Sequence, residues 1–245
     1  MTGFLLGLFC ATAAAASGEG PGAPVPETPV LIVDRRPGSV ALFMTLPADE
    51  LADVFGQDAE GLLGPDGTID IDRLYEGTFD LADRIFQPVD ARIAGVPVDF
   101  EATSMMVHDP KALPPFQTPW DGETSIAVCT SPETVDRMGL DTLQAYLGYF
   151  AWEVDALAPI TLTFPALDDA PLRIEVREFW NMQPTATRTE VLSGDRTLVL
   201  EPGRTGGLGP ATLGLMALAL LGAGAVLLLL HRREGTGGKA APDAP

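Results

Sequence analysis

Leu172-Arg-Ile-Glu-Val-Arg-Glu-Phe179, Thr187-Arg-Thr-Glu-Val-Leu192 and Arg196-Thr-Leu-Val-Leu200 are the stretches whose reading decides the fold class. Apolar and polar residues alternate in them, which is the period of a half-buried strand. Ser193-Gly194-Asp195 sits between the second and third and reads as a hairpin turn carrying glycine. No helical pattern separates the three. A parallel α/β fold, which needs strands and helices in alternation, is therefore excluded for this part of the chain.

Working outward, Ile160-Thr-Leu-Thr-Phe164 and Thr124-Ser-Ile-Ala-Val-Cys-Thr130 read as further strands. Val89 to Ile93 and Val96 to Phe100 flank Ala94-Gly95 and read as strand, turn and strand, with Ser104 to Val107 continuing the same sheet. Asp141 to Trp152 fits a helix through Leu143, Leu147 and Phe150, and a strand through its aromatics. Val30 to Val33 and the alternating Ser39 to Leu46 form a hairpin about Asp34–Gly38. Pro47 to Phe55 suits a short helix. Ile71 to Phe86 puts Leu74, Tyr75, Thr78, Leu81, Ala82 and Ile85 on one helical face, with Asp70 as N-cap. Pro110 to Asp121, with four prolines, is a loop. The fold class is mainly β: an antiparallel β-sandwich-like extracytoplasmic domain over 30–200 with a short helical insertion.

The two ends supply the rest of the organisation. Residues 1–16 join a short apolar run to Ala14-Ala15-Ala16, the shape of a cleaved secretory signal. Residues 17–29 are rich in Gly, Pro and Glu and read as a disordered arm. Glu201 to Gly207 is a linker. The segment 208–230 carries no charge, and at about 1.5 Å per residue it crosses the roughly 30 Å of a bilayer as one C-terminal transmembrane helix. Arg232 and Arg233 follow directly, which places the 231–245 tail in the cytoplasm. The two ends agree on a type I, single-pass protein. Lysine occurs only at 111 and 239 and asparagine only at 181, a usage typical of GC-rich bacterial coding. The expected location is a bacterial inner membrane, with the domain in the periplasm.

Charge narrows the function. Lys and Arg total 15 against 34 Asp and Glu, a formal net charge of −19. A chain this acidic lacks the basic face that phosphate contacts need, so no nucleic acid is expected as partner. A protein partner with a basic face would be attracted. Two cysteines and two histidines exclude a disulfide scaffold and a His-rich metal cage.

The candidate sites each have a bland reading that outweighs the sharp one. Asp66-Gly67-Thr68-Ile69-Asp70 resembles the middle of an EF-hand loop, but Leu62, Gly64 and Arg73 stand where ligands belong, so a helix-capping loop is expected there. Cys129, the only cysteine left after signal removal, reads as a buried small hydrophobe. His108 has no Ser or Cys nearby in a nucleophile elbow. Trp120, Trp152 and Trp180 read mostly as core, with an aromatic ledge for sugars as the lesser reading. No catalytic, cofactor-binding or metal-ligating residue is assigned, and no cofactor is expected.

One ordering of features is similar to a known family. A hairpin, a D-G loop, a helix, the strand Val89-Asp-Ala-Arg-Ile-Ala-Gly95-Val and the late pattern from Thr187 to Leu200 together resemble the extracytoplasmic N-terminal domain of HupE/UreJ-type membrane proteins. The resemblance implies a β-sandwich-like outer domain. That family has several membrane helices bearing polar residues, whereas this chain has one apolar run. The expected function is protein–protein interaction accessory to a membrane complex. The alternatives are a small-ligand or metal-ion-delivering domain working with a transporter, and a hydrolase with an unrecognised carboxylate site.

Overall fold

Val30-Leu-Ile-Val33 is apolar at four successive positions, and a strand of that kind needs cover on both faces. The computed structural model, which describes residues 26, 28–127, 135–167 and 170–201, provides it. β1 (Val30–Arg36) and β2 (Ser39–Pro47) lie at the centre of a six-stranded sheet. Outside them come β5 (Glu101–His108), β6 (Gln144–Trp152), β8 (Leu172–Trp180) and β9 (Gln183–Leu192), in the order β5-β6-β2-β1-β8-β9. A smaller sheet runs β10-β7-β3-β4, from β3 (Asp90–Ile93), β4 (Val96–Pro97), β7 (Ile160–Thr163) and β10 (Thr197–Leu200). The described chain is thus mainly β, in two sheets with few helices.

The described residues also include the helices α1 (Leu51–Phe55), α2 (Ile71–Phe86) and α3 (Pro119–Ala127). One face of the large sheet, with Leu31, Val33, Leu42, Leu147 and Ile174, shares a core with Leu74, Leu81 and Ile85 of α2 and with Ile93, Ile160 and Leu198 of the small sheet. The opposite face, with Ile32, Phe43, Tyr146 and Phe179, is covered by Leu113, Phe116 and Ile126. Asp70 caps α2 by accepting from the backbone N–H groups of Asp72 and Arg73. Tyr149 ties that helix to the sheet, its hydroxyl donating to Ala82 C=O at 3.0 Å. Burial pushes the Tyr149 phenol above its usual range.

The structure corrects the sequence reading in several places. The sheet is not wholly antiparallel: β1 pairs with β8 in parallel, Val30 opposite Glu175 and Arg35 opposite Trp180. The expected hairpin about Ser193–Asp195 does not form. β9 pairs with β8, while β10 pairs with β7 in the other sheet, so the turn at Gly194 crosses between sheets. The apolar residues of β10 cover the small sheet, which local alternation does not reveal. Glu101–His108 likewise joins the large sheet beside β6 and does not extend the Asp90–Pro97 hairpin. The ambiguous 141–152 stretch is the strand β6 from Gln144.

Residues 124–127, expected in a strand, are helical in α3. The cause is local: Asp121 accepts from the N–H groups of Gln117 and Thr118 and donates its own N–H to Thr118 Oγ1, a capping box in form, with Pro119 at the first turn. α2 and α3 together exceed the single short insertion expected. Tyr75, placed on the buried face of α2, is exposed. Ser39–Leu46 alternates in sequence yet is buried throughout, since α3 covers its second face. The signal at 1–16, most of the arm at 17–29, the linker beyond Glu201, the span at 208–230 and the tail at 231–245 lie outside the described residues. Among the described residues no helix is long and apolar enough to cross a membrane.

Candidate functional site

Tyr146, Gly148, Phe150 and Trp152 alternate along β6, so they share one face of the sheet. Toward Trp152 that face runs out from under α3. Phe150 packs edge-on to Phe43 at 5.7 Å, and Trp152 lies parallel to Phe150 at 5.4 Å and 9°. Trp152 is 59% exposed, so a backed and rigid ring meets solvent. Trp120, on α3, is 63% exposed. Two of the three tryptophans therefore depart from the core reading, and only Trp180 packs against the core.

A polar frame surrounds the stacked pair. The Arg36 guanidinium lies 5.7 Å from the Phe150 centroid, within reach of a cation–π contact. It donates through Nε to Asp34 at 2.6 Å and through a terminal nitrogen to Glu123 of α3 at 2.5 Å. Asp34 is fully buried, and its other oxygen accepts from Met182 N–H at 3.0 Å. The β8–β9 turn, with Asn181 and Met182 at positive φ, is thus bound to the end of β1. Four separate elements converge on Arg36. The spacing of Phe150 and Trp152 in a strand signals their side of the frame. Nothing local in the sequence signals Glu123.

Beneath β1 lies a buried cation. Arg35 is 2% exposed and donates to Ala156 C=O at 2.9 Å, Ala158 C=O at 2.7 Å, Leu200 C=O at 3.3 Å and Glu201 C=O at 2.8 Å. Glu178 stands 4.0 Å away and is itself paired with Arg188. Burial lowers the Arg35 pKa from its usual value, and its Nε has no hydrogen-bond partner among the described residues. The carbonyls it holds include those of Leu200 and Glu201, the last two described residues.

The remaining sequence candidates fall apart as sites. Asp66 accepts from both the N–H and the hydroxyl of Thr68, and Asp70 is committed to the helix cap and to Arg73 at 3.5 Å. Arg73 in turn donates to Leu63 C=O at 2.6 Å. Among the described residues no group of three or more His, Cys, Asp or Glu could hold a metal ion. His108 is buried, with Nε2 donating to Ser125 C=O at 2.8 Å and its ring edge-on to Tyr146 at 4.9 Å. Burial drives its pKa down, and it drives the Tyr146 phenol up to about 12. Both groups serve the packing of α3 on the sheet. Cys129 lies outside the described residues.

Open hollows lie on the surface of the described residues. One of about 320 Å³ is bordered by Glu50, Asp53, Arg173 and Arg196, one of about 380 Å³ by the Asp66–Asp72 loop and Arg137, and one of about 590 Å³ by Pro110, Met138 and Thr142. The Trp152 platform is the best-built candidate: it offers stacking, cation–π contact and carboxylate pairing. No protein-family model matches this chain, and no curated protein matches it.

Proposed function

We propose that the protein works by contact, as a docking domain for a partner with a basic face, tethered to the bacterial inner membrane through residues 208–230 and held in the periplasm. One observation carries this reading: a tryptophan backed by Phe150 and framed by Arg36 and Glu123 stands 59% exposed on a chain of net charge −19. Exposed aromatics on a rigid backing are the side chains that dominate binding energy at interfaces. An arginine or lysine of the partner could meet the exposed aromatic face of Trp152. The charge excess would steer a basic partner and weaken its hold as salt rises. The apolar span, without an ionisable or amide side chain, suits an anchor better than an ion path. A sandwich-like outer domain and the HupE/UreJ-type resemblance belong to the same reading.

The test is isolation of the full chain from membranes with its bound partner, alongside Trp152→Ala. The expected result is a salt-sensitive partner that the folded variant fails to retain. A partner held equally by both forms would sink the Trp152 assignment. Binding that strengthens with salt would sink the electrostatic part.

A further inference from the structure

Among the described residues β9 is the longest strand and forms one edge of the large sheet, paired on one side only, with β8. Edges are usually blunted by cover, shortness or proline. The opposite edge strand, β5, packs with α2 and α3. β4 is two residues long and includes Pro97. β9 has Pro184 only beside its turn, and from Gln183 to Thr187 every residue is exposed. Alternate residues of an antiparallel edge strand turn their N–H and C=O groups outward, and among the described residues no strand receives those of β9.

The charge around this edge differs from that of the rest of the chain. β8 and β9 carry Arg173, Arg177 and Arg188 against Glu175, Glu178 and Glu190, an even balance on a molecule of net charge −19. The repulsion that keeps copies apart elsewhere is locally cancelled. The order of residues is also self-complementary. Arg188 and Glu190 flank Thr189 on one face of the strand, where Arg188 Nε donates to Glu190 at 2.7 Å. If two copies run antiparallel about a two-fold axis at Thr189, each Arg188 lies opposite the Glu190 of the second copy. Thr187 then lies opposite the second copy's Val191. Opposite charges and β-branched side chains are favourable cross-strand neighbours.

We propose that β9 pairs with β9 of a second copy of this chain, antiparallel and centred on Thr189, to join two large sheets into one continuous sheet. Such an isologous contact closes as a dimer and leaves no further edge of this kind open. The proposal is independent of the Trp152 platform.

The test is cysteine pairing in the full chain with Cys10 and Cys129 replaced by serine. Opposed residues at a two-fold axis sit at about 4.5–5.5 Å between Cα atoms, within disulfide range. Thr189→Cys should form a disulfide-linked homodimer on mild oxidation. Thr187→Cys and Val191→Cys should cross-link only when the two variants are mixed. Thr187→Pro should reduce the dimer fraction by at least tenfold. Light scattering on the unmodified chain provides the check that needs no variant: a mass of two chains is expected. A one-chain mass across the accessible concentrations would overturn the proposal, as would equal cross-linking from cysteine at 185, 189 and 191, or a different polypeptide trapped at Thr189→Cys.

Discussion

Arg35→Met should destabilise the domain by about 2–4 kcal/mol. The perturbation keeps the length and apolar body of the side chain and removes the donors. Four carbonyls lose a partner. The bond to Leu200 is long at 3.3 Å and contributes little, and Glu201 is exposed, so water can replace the donor there. Ala156 and Ala158 are buried and have no such recourse. An unsatisfied buried acceptor costs about 1–3 kcal/mol, which gives roughly 2–6 for the two. Relief of the guanidinium's own desolvation offsets part of this. Glu178 is not stranded, because Arg188 still pairs with it. For a domain of this size about 2–4 °C in Tm accompanies each kcal/mol, so the expected drop is roughly 4–16 °C. Thermal unfolding followed by circular dichroism measures it, with Arg35→Lys expected to fall between the two. A methionine variant melting within about 2 °C of the parent would show that the carbonyls find other partners, and the reasoning would fail.

Other expectations follow from particular contacts. A Cβ on Gly122 would lie 2.5 Å from Phe43 Cγ, so Gly122→Ala should cost about 1–3 kcal/mol by denaturant titration; an unchanged midpoint would mean that α3 shifts freely. Asp70→Ala removes the α2 cap and should cost about 1 kcal/mol, and Asp70→Asn should recover most of it in the same titration. His108 has its folded pKa lowered, so the unfolded chain takes up the proton first. Stability should be full above about pH 6.5, fall as pH drops below that value, and level off once the folded histidine also protonates. His108→Gln should flatten this part of the Tm–pH curve, and an unaltered slope would assign the dependence to the carboxylates. Trp152→Ala should leave the unfolding free energy within about 1 kcal/mol of parent by denaturant titration, since most of its ring is already in water.

The sequence was most legible where one local pattern sufficed. α2 shows its 3.6-residue period and its Asp70 cap, and both are found. The β1–β2 hairpin and the Asp90–Pro97 hairpin lie where glycine turns mark them. Long-range choices were illegible. Nothing around Leu198 says that its strand leaves β9 for β7, and nothing around Val30 names Glu175 as its partner. α3 carries two conflicting local signals: Thr118 to Asp121 holds its cap, while Ile126-Ala-Val has the β-propensity of a strand. At the candidate site, only Phe150 and Trp152 could be placed together from spacing. The Arg36–Glu123 bridge depends on α3 lying over β2, where Gly122 faces Phe43.

The parallel pairing of β1 with β8 also sets an order of events. β1 is among the first described residues to leave the ribosome, and the strand that seals its free side follows about 140 residues later, a separation that slows closure. Until then a hairpin of β1 and β2 offers the apolar run Val30–Val33 along an open side. A chain caught at that stage is prone to join its neighbours in the wrong way. Holding the segment unfolded until Leu172–Trp180 is available would suit a protein that folds only after its whole length has been delivered. The same topology fixes what truncation removes: ending the chain before β8 strands the centre of the large sheet, and ending it after β9 takes β10 from the small sheet together with the Leu200 and Glu201 carbonyls that Arg35 holds.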